Sequence, residues 1–307
     1  FCTRLLDANM NYLITGATGF IGRRLAGYLL ARGDSVNYLG RTRSQALDSR
    51  AAFHCWPRGE PPPLDSVLRT DTVVHLAGET VAQRWTPETK REIRRSRIER
   101  TRALVDGLRE LKHKPQTLIS ASAVGYYGDR GDEVLTEASA PGHDFLADLC
   151  AAWEREAARA AEFGMRVVSV RIGVVLGREG GALPKMLRPF RLGLGGRLGS
   201  GRQWMSWIDA DDLIRLIVFA AETPAVSGAL NGSSPRPVRS AEFTEELARA
   251  LRRPAKLAVP AFALKLLLGE MSEVVLASTR AAPEAAQRAG FGFEFSDLAG
   301  ALRHVVG

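Results

Sequence analysis

The chain has 307 residues, 45% of them apolar and 25% charged, and carries a net charge of +8 at neutral pH. That balance is ordinary for a soluble globular protein, and the positive excess attracts anions, phosphorylated ligands among them. No apolar run nears the roughly 20 residues that cross a bilayer. Cys2, Cys55 and Cys150 are too scattered for a disulfide framework or a metal-ligand spacing, so a cytoplasmic protein with no metal site and no membrane partner is expected.

Residues 1–9, FCTRLLDAN, lack the apolar centre of a signal peptide and read as a tail ahead of the first strand. NYLITG (11–16) is an apolar strand closed by glycine, and residues 20–32 follow as an amphipathic helix ending at Gly33. SVNYLG (35–40) is a second strand. TVVHLAG (72–78) is a third, followed by a long polar helix over 87–111. QTLISAS (116–122) is a strand, residues 144–163 form a helix capped by Asp144 and stopped by Gly164, and MRVVSVRIGVVLG (165–177) returns to strand. This alternation predicts an α/β fold, a Rossmann-type doubly wound parallel sheet with ligand loops at the carboxyl ends of its strands.

Past residue 178 the texture changes. A Gly- and Arg-rich stretch holds a short helix, residues 209–222 and 240–252 read as helices, SGALNGSSP holds a short strand and turn, and 260–307 is mostly helical. The expected division is a dinucleotide-binding domain over 10–177 and a small, mostly helical substrate-side lobe over 178–307 that returns some strands to the main sheet.

The first turn, LITGATGFIG, sets Gly16, Gly19 and Gly22 as G-x-x-G-x-x-G between a strand and a helix. The first glycine permits a tight turn, the second lets backbone approach a pyrophosphate, and the third allows close helix packing. Thr18, Phe20 and Ile21 complete the turn, and the helix N-terminus offers N–H groups and a positive dipole end. An acid about 20 residues further on would select NAD. Here the second strand ends at Gly40, then Arg41, Thr42 and Arg43 follow, and no carboxylate stands between Asp34 and Asp48. Two guanidinium groups and a hydroxyl suit a 2′-phosphate, which points to NADP. The end of the third strand, Leu76, Ala77 and Gly78, lets the adenosine half lie against backbone.

KREIRRSRIERTR (90–102) is strongly basic, but Glu92 and Glu99 dilute it and no aromatic follows to stack bases. It reads as a solvated helix face, so no nucleic-acid partner is expected. PFRLGLGGRLGSGRQ likewise suits one anionic small molecule better than a duplex.

These motifs together resemble the extended short-chain dehydrogenase/reductase superfamily, and more narrowly its atypical "epimerase family" branch, whose members are similar to nucleoside-diphosphate-sugar epimerases. The resemblance covers residues 10 to about 305 and rests on ITGATGFIG (14–22), HLAGE (75–79), SASAVGYYG (120–128), RIGVVLG (171–177), the run from Pro189 through DADDL (209–213), and LNGSSP (230–235). It implies NADP binding, with Glu92 and Arg97 of the pattern begun by Trp85 facing the cofactor and Val175 on the nicotinamide side.

The same resemblance implies a serine that polarises the substrate, a tyrosine that passes the proton, and a lysine four residues later that lowers the tyrosine's pKa. Ser122 meets the first position, with Ser120 two residues before it. Leu146 and Cys150 occupy the tyrosine and lysine positions, so the ordinary relay cannot operate. Tyr126 and Tyr127, just past the serine strand, are the substitute proton donors, provided a cation lies beside them. Lys185, Pro189, Arg202, Trp204 and Trp207 are expected to line the substrate side. Two readings stand: an oxidoreductase or epimerase-like enzyme acting on a small, anionic molecule, and a non-catalytic NADP(H)-dependent binding or regulatory protein. A cation beside either tyrosine would favour chemistry; apolar neighbours alone would favour sensing.

Overall fold

The computed structural model describes residues 9–64, 69–255 and 257–306. Apart from residue 9, the expected N-terminal tail lies outside the described residues. The central sheet is built from β1 (Asn11–Thr15), β2 (Ser35–Gly40), β3 (Ala52–Cys55), β4 (Thr72–His75), β5 (Thr117–Ala123), β7 (Arg166–Ile172) and β13 (Gly228–Gly232). Its order is β13-β7-β5-β4-β1-β2-β3, and every neighbouring pair is parallel. The order reverses between β1 and β4, which opens a crevice at their carboxyl ends.

A parallel sheet is covered on both faces, so its strands are apolar throughout while side chains still alternate. Tyr12 and Ile14 enter the core under α1 (Phe20–Ala31) and α6 (Ala210–Glu222), together with Tyr38, Val74 and Ile119. Leu13, Leu39, Val73 and Leu118 enter the opposite core, under α3 (Arg100–Glu110) and α4 (Phe145–Ala158). Asp144 caps α4 by accepting the Ala147 N–H at 2.9 Å, as its sequence position predicts. The long polar helix is present as α2 (Pro87–Arg94) and α3, joined by a π turn over Arg95–Glu99.

Two features depart from the expected elements. β3 is an additional edge strand, half exposed and therefore without a clean apolar pattern. The run 165–177 is not one strand. It breaks at Gly173, whose N–H bonds to the Gly232 carbonyl at 2.9 Å, and a side chain there would come within 2.6 Å of the Ser206 carbonyl oxygen. Beyond the break, β8 (Val174–Gly177) leaves the main sheet to pair with β9 (Gly180–Gly181) and β12 (Trp207–Asp209).

The remaining strands are short. β6 (Val134–Leu135) pairs with β16 (Arg280–Ala281), β10 (Gly196–Leu198) with β15 (Leu257–Val259), and β11 (Trp204–Met205) with β14 (Val238–Arg239). A third core gathers β8, α5 (Leu183–Arg191), α7 (Ser240–Leu251) and α11 (Leu298–Val306) around Trp207. α8 (Ala261–Leu268), α9 (Ser272–Leu276) and α10 (Glu284–Arg288) complete the C-terminal part. Among the described residues no helix is long and apolar enough to cross a membrane.

Candidate functional site

At the crevice, β1 turns through Gly16, whose φ of +73° favours glycine and whose added Cβ would sit 2.6 Å from the Leu76 carbonyl carbon. Gly22 is as tight: a Cβ there would lie 2.6 Å from Ala17 Cα. The turn therefore lies directly on the end of β4, as close backbone approach requires. Gly19 begins α1 with no side-chain cap, and no acid stands in the first turn. The helix N–H groups are thus open to an anion. Thr18 is exposed, whereas Phe20 and Ile21 are half-buried against the core. Beneath the turn, Thr15 Oγ1 lies 2.6 Å from His75 Nδ1, and His75 Nε2 lies 2.9 Å from Thr101 Oγ1. Burial pushes the His75 pKa down to about 3, so this ring is neutral and serves as a spacer.

Beyond Gly40, Arg41, Thr42 and Arg43 are all exposed at the sheet edge. Arg100, which sequence reading did not single out, sits at the same corner, its guanidinium 3.7 Å from the centre of the Trp56 ring. On the other side of the crevice the Arg97 guanidinium packs over Gly78 and lies 5.1 Å from the Trp153 ring centre. Burial lowers its pKa from the usual arginine value, and among the described residues it has no carboxylate in ion-pair contact. Glu92 meets Arg58 and Arg95, each at 3.4 Å. Val175 is buried at the start of β8.

The catalytic positions form a closed network. The Ser122 hydroxyl donates to Glu154 at 2.6 Å. Glu154 holds Arg171 through two bonds of 2.9 Å, and Arg171 Nη1 donates to the Tyr127 hydroxyl at 3.0 Å. That hydroxyl lies 2.7 Å from Asn231 Oδ1 and 2.9 Å from the Thr136 carbonyl. Tyr127 is fully buried, and burial pushes its pKa up to about 12 in spite of Arg171. Burial works against the charge of Arg171 as well, but Glu154 outweighs it and the pKa of Arg171 rises. Cys150, in the lysine position, is a buried thiol pushed up to about 12 by burial and by Glu154. Leu146 packs against Gly125.

A cation does stand beside both tyrosines, as the chemical reading required, but Glu154 neutralises it. The hydroxyls of Ser122 and Tyr127 are both hydrogen-bonded within this network. Tyr126 differs: it is half-buried, the Arg171 guanidinium carbon lies 3.4 Å from its ring centre, and its hydroxyl bonds to no described residue. Sequence reading gave no role to Glu154, or to Arg171 at the head of RIGVVLG. The one available signal was that Leu146, Cys150 and Glu154 recur every fourth residue on one helix face.

The expected substrate-side residues have different surroundings. Lys185 Nζ donates to the Ala82 carbonyl at 2.9 Å, tying α5 to the loop after β4. Pro189 and Arg202 are exposed. Trp204 donates to Asp132 at 2.9 Å and has the Arg239 and Arg280 guanidinium carbons 4.1 and 4.3 Å from its ring centre. Trp207 lines no cleft: it is fully buried in the third core, its indole N–H on the Arg236 carbonyl at 2.9 Å. Ligand atoms of Asp209, Asp211 and His304 lie within 4.8 Å of one another, but Arg24 bonds to Asp211 at 2.5 Å and the start of α6 adds a positive dipole end.

Comparison with known proteins fits this geometry. The model of the NAD dependent epimerase/dehydratase family matches residues 12–231. The chain belongs to this family. A second model, DUF1731, a domain of unknown function, matches residues 259–305. The epimerase family protein SDR39U1 homolog, chloroplastic, of Arabidopsis thaliana is 41% identical over 99% of this chain and 89% of its own length. Epimerase family protein YfhF of Bacillus subtilis is 39% identical over 97% and 98%. The crystal structure of human epimerase family protein SDR39U1 with NADPH superposes with a TM-score of 0.87 at 33% identity, covering 97% of this chain and 99% of that one. This epimerase-family chain is thus an atypical extended short-chain dehydrogenase/reductase with a Rossmann-like sheet and a helical C-terminal region.

Proposed function

We propose that the chain binds NADP(H) and acts as an oxidoreductase on a small, anionic molecule, without the Ser-Tyr-Lys relay. The observation that carries this reading is the cradle. The Gly16–Gly22 turn and the uncapped start of α1 offer N–H dipoles to a pyrophosphate, and the arginines beyond β2 offer cations where a NAD-selective site keeps an acid. The human relative with NADPH supports it. When bound, the nicotinamide supplies the hydride.

In this reading the glycine turn holds the pyrophosphate, Leu76 and Ala77 the adenosine, and Arg41, Thr42 and Arg43 the 2′-phosphate. Glu92, Arg97 and Val175 border the remainder. Residues 10–177 carry the dinucleotide, and Lys185, Pro189, Arg202 and Trp204 of 178–307 face the substrate. Tyr126 is the phenol left to carry the proton, with Arg171 against its ring. The free thiols Cys55 and Cys150 suit a reducing compartment such as the cytoplasm.

Stopped-flow oxidation of NADPH across a panel of carbonyl compounds and nucleotide sugars tests this. Turnover that Tyr126→Phe abolishes and Tyr127→Phe spares supports it; tight NADPH binding with no turnover on any member overturns the oxidoreductase. The second reading, a protein that holds the dinucleotide to sense or regulate, has its own observation in the hydroxyls of Ser122 and Tyr127, both committed inside the buried network.

A further inference from the structure

A second set of cations gathers beside Arg41. Trp56, the residue after β3, donates its backbone N–H to the Gly40 carbonyl at 2.8 Å, so the chain leaving β3 runs alongside the chain leaving β2. Cys55 Sγ reaches the Arg41 carbonyl at 3.5 Å. Arg100, the first residue of α3, comes down on this corner. It stacks on Trp56 and donates to the Pro57 carbonyl at 2.8 Å and the Trp56 carbonyl at 3.2 Å. Arg58 follows Pro57, with a side chain 53% exposed and one contact of 3.4 Å to Glu92.

Among the described residues neither Arg41 nor Arg100 is in ion-pair contact with a carboxylate. Burial, with the charges of Arg41 and Arg58, holds Arg100 below the usual arginine value. Arg58 has Glu92 at 3.4 Å, but Arg41 and Arg100 have no such partner among the described residues, and like charges brought together repel. The stack on Trp56 and the two carbonyl bonds keep Arg100 in place against that repulsion. They also fix its planar fork in advance, so little side-chain freedom is lost when an anion arrives. A dianion at this corner would turn the repulsion into attraction.

We infer that Arg58 and Arg100 join Arg41 in gripping the 2′-phosphate of the dinucleotide, so that selection of NADP(H) over NAD(H) is shared by the ends of β2 and β3 and the start of α3. The inference rests on the NADP(H) reading above. It assigns the corner a ligand group, an adenosine 2′-phosphate, and gives Arg100 a role beyond packing on Trp56.

Titration calorimetry on the full chain tests it, with NADPH against NADH and with adenosine 2′,5′-bisphosphate against AMP as nicotinamide-free probes. The unmodified chain is expected to favour the 2′-phosphorylated member of each pair. Arg100→Gln is expected to weaken NADPH and the bisphosphate about tenfold, and Arg58→Gln about threefold, with NADH and AMP unchanged. A merely structural Arg100 would weaken all four ligands together. If Arg100→Gln fails to fold, Arg58→Gln, at an exposed position, decides. An unchanged preference in the variants that fold overturns the inference and leaves the NADP(H) reading standing. An unmodified chain that holds NADH as tightly as NADPH overturns both.

Discussion

Glu154 and Arg171 form a buried ion pair through two hydrogen bonds of 2.9 Å, with side chains only 14% and 5% exposed. Removing one partner of such a pair strands the other charge out of water, a loss of about 3–5 kcal/mol. Glu154→Gln is therefore expected to lower the unfolding free energy by about 3 kcal/mol, seen as a lower urea midpoint at unchanged slope. A change under about 1 kcal/mol would mean that water screens the pair.

The two neighbouring tyrosines should separate cleanly. Tyr127→Phe leaves Asn231 Oδ1 without its bond of 2.7 Å in the core, and a loss of about 1–3 kcal/mol is expected. Tyr126→Phe removes a hydroxyl bonded to no described residue and is expected to leave the melting temperature unchanged. Equal melting shifts for the two variants would contradict this difference between the two hydroxyls.

At the glycine turn, Gly22→Ala forces a methyl to within 2.6 Å of Ala17 Cα, and the start of α1 must move away from the turn. Affinity for NADPH is expected to fall at least about tenfold, because the helix N–H groups leave their positions. Far-UV circular dichroism should hardly change. A Gly22→Ala protein that binds NADPH normally would place the pyrophosphate elsewhere.

Asp209 caps α6 by accepting the Asp211 N–H at 2.7 Å, while its Oδ2 is buried with no partner. Burial lifts this carboxyl from 3.8 to about 6. The folded chain therefore holds the proton more tightly than the unfolded one. The resulting stabilisation is complete below about pH 4 and is lost as pH rises through about 6. Asp209→Asn keeps a capping side chain and removes the titration. Relative to the variant, the unmodified chain is expected to lose about 2–3 kcal/mol between about pH 4 and pH 8. Parallel stability curves for the two proteins would contradict this.

The glycine turn and the apolar strand before it were legible in the sequence because each is local: an apolar run, a glycine at its end, a helix start. β3 was not, since an edge strand reading AFHC with exposed ends carries little apolar contrast. The break at Gly173 was hidden for another reason. RVVSVRIGVVLG has strand propensity throughout, and the Ser206 carbonyl that presses on Gly173 comes from far along the chain. The site divides in the same way. Arg41 was singled out from its place after β2, whereas the partners of Arg100 and Arg171 are brought near only by folding. Trp207 was misplaced because an aromatic in a cleft motif and an aromatic in a core look alike in sequence.

The run that divides at Gly173 also ties residues 166–177 to strands from much later in the chain. β7 needs β13, from residues 228–232, as its outer neighbour, and β8 needs β12, from residues 207–209. A chain truncated after residue 177 would keep the whole glycine turn and still expose the raw edge of β7 and all of β8. Such a fragment is expected to aggregate, so the glycine turn and the strands that carry it depend on residues 207–232 for a closed sheet.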